Sequence, residues 1–163
     1  MYHSSTYGDL ELQSIPLKIN DYFEKTKHFG IPLQVIIGSD SQTFDTLKLV
    51  NVVAVICQGH GGIFFYEVTR LPRTNDVRQK LTTETNESLQ VALQLTDVLD
   101  DPVYDELKQN MQLSIHIDAG FSNKGKTKEL IPELVGWIKA CGYECQCKPQ
   151  SFVASTIADK LSK

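Results

Sequence analysis

The chain has 163 residues, of which 41% are hydrophobic and 22% charged, and its formal net charge is -4. These values are typical of one globular domain with its own core, and they exclude a generally basic nucleic-acid coat. A site for a polyanion must therefore be local, or must work through bound cations. No apolar run approaches the roughly 20 residues of a membrane span, and the N-terminus lacks a signal-peptide core. We therefore expect a cytoplasmic protein with no membrane partner.

Hydrophobic periodicity predicts a single α/β domain over residues 1–163, in which the polar residues 1–14 form a flexible arm. The predicted elements are a helix at 15–27, a strand at 33–39, a hairpin at 49–57 and 63–70, a long helix at 77–99, a short helical stretch to 109, a strand at 111–117, a helix at 132–140, a strand at 143–148 and a helix at 151–161. After the first helix the order is βββαβαβα, which predicts a mixed five-stranded sheet flanked by helices.

Two acids follow strongly apolar strands. Asp40 ends the run from Val35, and Asp118 ends the run from Leu113. An acid at the rim of a buried sheet is costly to desolvate unless a partner or a cation compensates. Carboxylate oxygens are the ligands that Mg²⁺ prefers. The two acids together therefore predict a divalent metal held at the edge of the sheet.

Several segments, together with the order of elements, resemble a small bacterial family, the YkuK-like ribonuclease H-like proteins. The segments that carry the resemblance are Gly38–Gln42, Gly59–Tyr66, Ile115–Asp118, Gly136–Ile138, Lys148-Pro149 and Ser155–Lys160. The resemblance extends from about Gly30 to the C-terminus. It implies the ribonuclease H-like fold and a metal-dependent nuclease that hydrolyses phosphodiester bonds of DNA, RNA or a hybrid.

Nucleases of this fold place acids on the first strand, the first long helix, the fourth strand and often the final helix. The resemblance therefore implies a metal-binding, catalytic set made of Asp40, Asp118, Asp159 and either Glu84 or Glu87. We favour Glu84 because it lies within the stripe from Leu81 to Ser88 that should face the sheet. This set is expected to bind Mg²⁺ or Mn²⁺, as two ions roughly 4 Å apart that activate water and stabilise the leaving oxygen.

Further residues are candidates for contacts with the substrate, and they are Ser41, Gln42, Lys124, Lys126, Lys148 and Ser155. Lys148 is also a candidate catalytic residue, because a cation there would help to neutralise the scissile phosphate. Ser41 or Gln42 could orient water or substrate. A module that binds nucleic acid or protein without cutting stays an alternative, and the oligomeric state stays open.

A competing motif lies at Gly120–Thr127, which satisfies the P-loop pattern and has a strand before it and a helix after it. It predicts ATP or GTP binding as an alternative function. Pro132 argues against it, because proline should break a helix that begins at Lys126. The antiparallel hairpin that precedes the motif also argues against it, as do the few residues that follow it. In the nuclease interpretation the same loop would contact phosphate beside Asp118.

Overall fold

The computed structural model describes residues 1–120 and 126–148. Its strands are β1 Tyr2–Ser4, β2 Gly8–Leu10, β3 Leu33–Thr43, β4 Leu47–Ile56, β5 Gly62–Leu71, β6 Met111–Gly120 and β7 Glu144–Lys148. Its α-helices are α1 Ile15–Thr26, α2 Val77–Leu99, α3 Asp105–Gln109 and α4 Lys126–Ala140. None of the helices in these ranges is long and apolar enough to cross a membrane.

The strands form one mixed sheet in the order β2-β1-β5-β4-β3-β6-β7. The pairs β3·β4 and β4·β5 are antiparallel, as the predicted hairpin requires, whereas β6 is parallel to β3 on one side and to β7 on the other. This mixed sheet confirms the predicted fold class. The parallel trio matters for function because the carboxyl ends of β3 and β6 lie side by side at one edge.

Alternation along β3 separates two faces of the sheet. Val35 and Ile37 belong to the main core, which also contains apolar residues of α1, α2 and α4. Ile36 points the other way, where it packs with Val50 and Val52 in a second apolar cluster. The helix α2 lies against the face that carries Val35 and Ile37, so residues 39 and 41 of β3 also face this helix.

The first residues of the chain are part of the sheet. β1 pairs with β2 and, through His3 and Tyr66, with β5. Tyr2 is 3% exposed, and the ring of Tyr7 stacks on Phe65 with centroids 6.1 Å apart. The prediction of a flexible arm over residues 1–14 is therefore wrong, and within the described residues the sheet has seven strands where five were predicted. Two strands of three residues are too short to show a period in the sequence.

The helix α4 begins six residues before its predicted start and continues through Pro132. The proline removes one backbone donor, and the remaining turns on both sides hold the helix together. The helix thus begins at the lysine of the P-loop pattern, and the strand before it has parallel neighbours on both sides. The argument from Pro132 is therefore wrong, and the antiparallel hairpin, although confirmed, does not exclude parallel neighbours for the strand before the motif. Residues 121–125 of the pattern, and the predicted helix at 151–161, lie outside the described residues.

Candidate active site

Asp40 and Asp118 lie near the carboxyl ends of two adjacent parallel strands. The register of β3 and β6 pairs Gly38 with His116, and each acid comes two residues later in its own strand. Residues two apart in a strand share a face, so the two acids are expected on the same side of the sheet. Both are half-buried. The structure therefore brings together the two acids that the sequence singles out.

Glu84 reaches this region from the second turn of α2. It is 8% exposed, and its Oε1 accepts a hydrogen bond of 2.5 Å from the Ser41 hydroxyl. One turn further along α2, the hydroxyl of Ser88 lies 2.8 Å from that of Ser39. Ser39 in turn donates to Asn51 Oδ1 at 2.6 Å. These polar contacts fix the helix on β3 at the level of the acids.

Burial raises the pKa of Glu84, and the nearby carboxylates of Asp40 and Asp118 add to the rise, which brings the pKa to about 8. The hydrogen bond from Ser41 and the positive charge of Lys80 act in the opposite direction. A buried acid beside two other acids keeps its proton near neutral pH unless a cation approaches. The site is thus short of positive charge, and a bound cation would relieve that shortage.

One depression of about 230 Å³ is lined by all three acids, together with Ser41, Lys80 and Thr127. Lys80 is a residue that the sequence analysis did not single out. It lies one turn before Glu84 on α2, and residues four apart share a helix face. That spacing is the signal that could have identified it once Glu84 had been chosen.

The donor set fits a hard divalent cation in its chemistry. Carboxylate oxygens are the usual ligands of Mg²⁺, and the cost of burying Glu84 beside two acids is what a cation would offset. Within residues 1–120 and 126–148, however, no group of three or more His, Cys, Asp and Glu side chains could hold a metal ion as it stands. The Glu84 carboxylate is engaged by Ser41, so it would have to turn toward the ion.

Glu87, the other candidate on the helix, lies elsewhere. It is half-buried and lines a cleft with Met1, Tyr2 and Glu67 on another side of α2. Of the two candidate glutamates, Glu84 is therefore the one that lies beside Asp40 and Asp118. Its role as a metal ligand stays a prediction.

Of the remaining predicted residues, one has its side chain within the described part of the chain and the others do not. Gln42 is half-buried near the end of β3, next to Ser41. Asp159, Ser155 and Lys124 lie outside the described residues, as do the side chains of Lys126 and Lys148. His116, which the depression does not include, is 7% exposed, and burial lowers its pKa to about 4. Its imidazole is therefore neutral near pH 7.

Comparison with known proteins places this fold in a family. The family model described as ribonuclease H-like matches residues 15–163. The chain is 25% identical over 171 residues to YkuK of Bacillus subtilis (strain 168), a protein described as uncharacterized, and the match covers 100% of this chain and 97% of YkuK.

Two solved structures of the Mos1 transposase catalytic domain, with raltegravir and either Mn or Mg, also match. Their TM-scores are 0.30 and 0.29, with 11% and 12% identity, over 84% of this chain. The chain spans 62% of the length of those transposase chains. The match over residues 15–163 shows that this chain belongs to the ribonuclease H-like family, and its full-length similarity to YkuK confirms the YkuK-like resemblance of its motifs.

Proposed function

We propose that this protein is a nuclease that hydrolyses phosphodiester bonds of nucleic acid with Mg²⁺ or Mn²⁺ held by Asp40, Glu84 and Asp118. The observation that carries the proposal is the common depression lined by these three acids, in which Glu84 is buried against the charge of the other two. Membership of the ribonuclease H-like family supports the same reaction class. Asp159 and Lys148 complete the predicted set, as a fourth ligand and a phosphate contact.

Each residue of the proposed site has its own role in the reaction. Asp40 and Asp118 offer carboxylates from two neighbouring strands, and Glu84 offers one from α2 at the same depression. Without a cation, Ser41 holds the Glu84 carboxyl group by its hydroxyl, and the group would turn toward the ion when one binds. Lys80 adds a positive charge at the same depression. Bound divalent cations would supply the activation of water and the charge stabilisation of the leaving oxygen. Lys80 can contact a phosphate oxygen of the substrate.

Cleavage of a panel of labelled nucleic acids tests this proposal. The panel holds single-stranded and duplex DNA and RNA, a hybrid and a four-way junction, each with Mn²⁺, with Mg²⁺ and with EDTA. The proposal expects cutting that needs the metal and falls by about 100-fold or more in Asp40→Asn and Asp118→Asn. The matched control is Asp97→Asn, an exposed acid near the end of α2. If no member is cut by the folded protein, the proposal fails, and a binding module or the nucleotide site becomes the better interpretation.

Nucleotide binding at Gly120–Thr127 stays a second candidate, because two backbone features support it. The helix α4 begins at the lysine of the pattern, and β6 has parallel neighbours. Titration with ATP and GTP in the presence of Mg²⁺ separates the two functions. Binding that is lost in Lys126→Ala and kept in Asp40→Asn would support the nucleotide site over the nuclease.

A further inference from the structure

We propose that a groove beside the acidic depression binds one strand of nucleic acid, with a base stacked on Phe44 and a phosphate held by Lys80. The inference rests on the proposed function, because it names the substrate class of the same site as single-stranded. We call this surface the strand groove. It has a volume of about 450 Å³, and the lining residues that matter here are Gln42, Phe44, Asn75, Val77 and Lys80.

The strand groove continues directly from the acidic depression. Ser41, Val77 and Lys80 line both of them. A chain that lies in the groove would therefore pass over Lys80 and reach the acids. This continuity is what relates the groove to the proposed chemistry, since a substrate has to be held on at least one side of the bond that is cut.

Phe44 gives the groove an aromatic surface. It lies in the turn between β3 and β4, where its backbone N–H donates to the carbonyl of Thr46 at 2.9 Å, and it is 55% exposed. Val77, which is 49% exposed, adds an apolar surface to the same groove. Bases of a single strand present their faces to such a ring, whereas the bases of a duplex are already stacked on one another. Phe44 therefore favours a single strand.

The polar side chains that line the groove suit a phosphate backbone. Lys80 lies where the groove meets the acidic depression, and its ammonium group can hold a phosphate there. Asp45, in the same turn as Phe44, is an exposed acid that would oppose phosphate binding. The amide side chains of Gln42 and Asn75 are neutral and can hydrogen-bond to either bases or backbone.

The experiment measures binding and not cutting. Fluorescence anisotropy follows a labelled 12-nucleotide DNA single strand, and the duplex of the same sequence, with full-length protein in Ca²⁺ and with the probe verified intact. We expect the single strand to bind about fivefold more tightly than the duplex, or better. Phe44→Ala should weaken single-strand binding by about fivefold or more, and Phe44→Trp should retain it. Lys80→Ala should reduce the salt dependence by about 0.7 in the slope of log K against log salt.

Two controls match these variants. Phe29 is also an exposed phenylalanine, at 42%, and lies before the opposite end of β3, and Lys25 is an exposed lysine on α1. Phe29→Ala and Lys25→Ala should leave binding unchanged. Duplex binding as tight as single-strand binding, equal effects of Phe44→Ala and Phe29→Ala, or no binding of either probe would overturn the inference. Single-strand binding by a protein that cuts nothing would support it and would contradict the proposed function.

Discussion

The Ser41 hydroxyl donates a hydrogen bond to the Glu84 carboxylate, and this contact joins the strand that carries Asp40 to the helix above it. The hydroxyl oxygens of Ser39 and Ser88, 2.8 Å apart, make a second contact between the same strand and the same helix. Residues 39 and 41 are two apart in the strand, and residues 84 and 88 are four apart in the helix. Residues 39 and 41 therefore share a face of the strand, and residues 84 and 88 share a face of the helix. The two polar contacts between these faces set the distance of Glu84 from the sheet.

Ser39→Ala should lower the free energy of unfolding by about 1–3 kcal/mol, because it leaves Asn51 Oδ1 and Ser88 Oγ without this buried partner. Urea denaturation at pH 7 measures the change. Ser14→Ala, at an exposed position before α1, is the control and should cost less than about 0.5 kcal/mol. Equal stability of the two variants would show that the buried network does not hold α2 on the sheet.

The pKa of Glu84, raised from 4.5 to about 8 in the folded protein, predicts a pH dependence of stability. The folded state holds this proton more tightly than the unfolded state. Its contribution is therefore fully present below about pH 4.5 and is lost as pH rises through about 8. The difference in unfolding free energy between wild type and Glu84→Gln should fall over that range, on the order of a few kcal/mol.

Denaturation with urea at pH 5, 6, 7 and 8 in EDTA measures the Glu84 effect. Glu87→Gln, one turn further along the same helix, is the control and should track the wild type at each pH. A constant difference between wild type and Glu84→Gln would mean that the carboxyl group is ionised throughout, and the electrostatic description of the site would be wrong.

His116 should act in the opposite direction. Its pKa is lowered from 6.5 to about 4 by burial, so the stability that comes with its neutral form is present above about pH 6.5 and is lost as pH falls toward 4. His116→Gln should reduce this acid sensitivity by at most a few kcal/mol. Thermal unfolding at pH 7 and pH 4.5 compares the two proteins. An unchanged shift in Tm between these pH values would contradict the prediction.

Tyr2→Ala should destabilise the protein by about 3 kcal/mol, because the ring is buried in the main core. His3→Ala, at the next position in β1, is the control and should cost much less, since His3 pairs at the surface with Asp9. Chemical denaturation measures both. A negligible effect of Tyr2→Ala would return residues 1–14 to the flexible arm that their polar sequence suggests.

The elements that the sequence predicted well are those with a long period and a defined start. α2 spans Val77–Leu99, as predicted, because its apolar stripe runs through six turns and Asp76 caps it by accepting from the Arg78 N–H at 3.0 Å. The positions of Asp40 and Asp118 were predictable for a related reason. Parallel strands of similar length end at the same edge, so acids near their ends meet.

Other features depend on packing that no local pattern reveals. β1 and β2 are stable because β5 offers an edge for pairing, and the polar residues 1–14 carry no sign of that edge. The start of α4 was misplaced because proline is a strong local signal that tertiary packing overrode. Lys80 shares the helix face of Glu84, so its spacing identifies it only once the rotation of α2 is known, and the contacts of Glu84 with Ser41 and of Ser88 with Ser39 fix that rotation.

Binding of Mn²⁺ followed by the EPR signal of the free ion tests the central claim most directly. The wild type should bind Mn²⁺, and Asp118→Asn and Glu84→Gln should each weaken binding by about tenfold or more, whereas Asp97→Asn and Glu87→Gln should match the wild type. If the folded wild type binds no Mn²⁺, or if all four variants bind as it does, the three acids do not form a metal site and the account is contradicted.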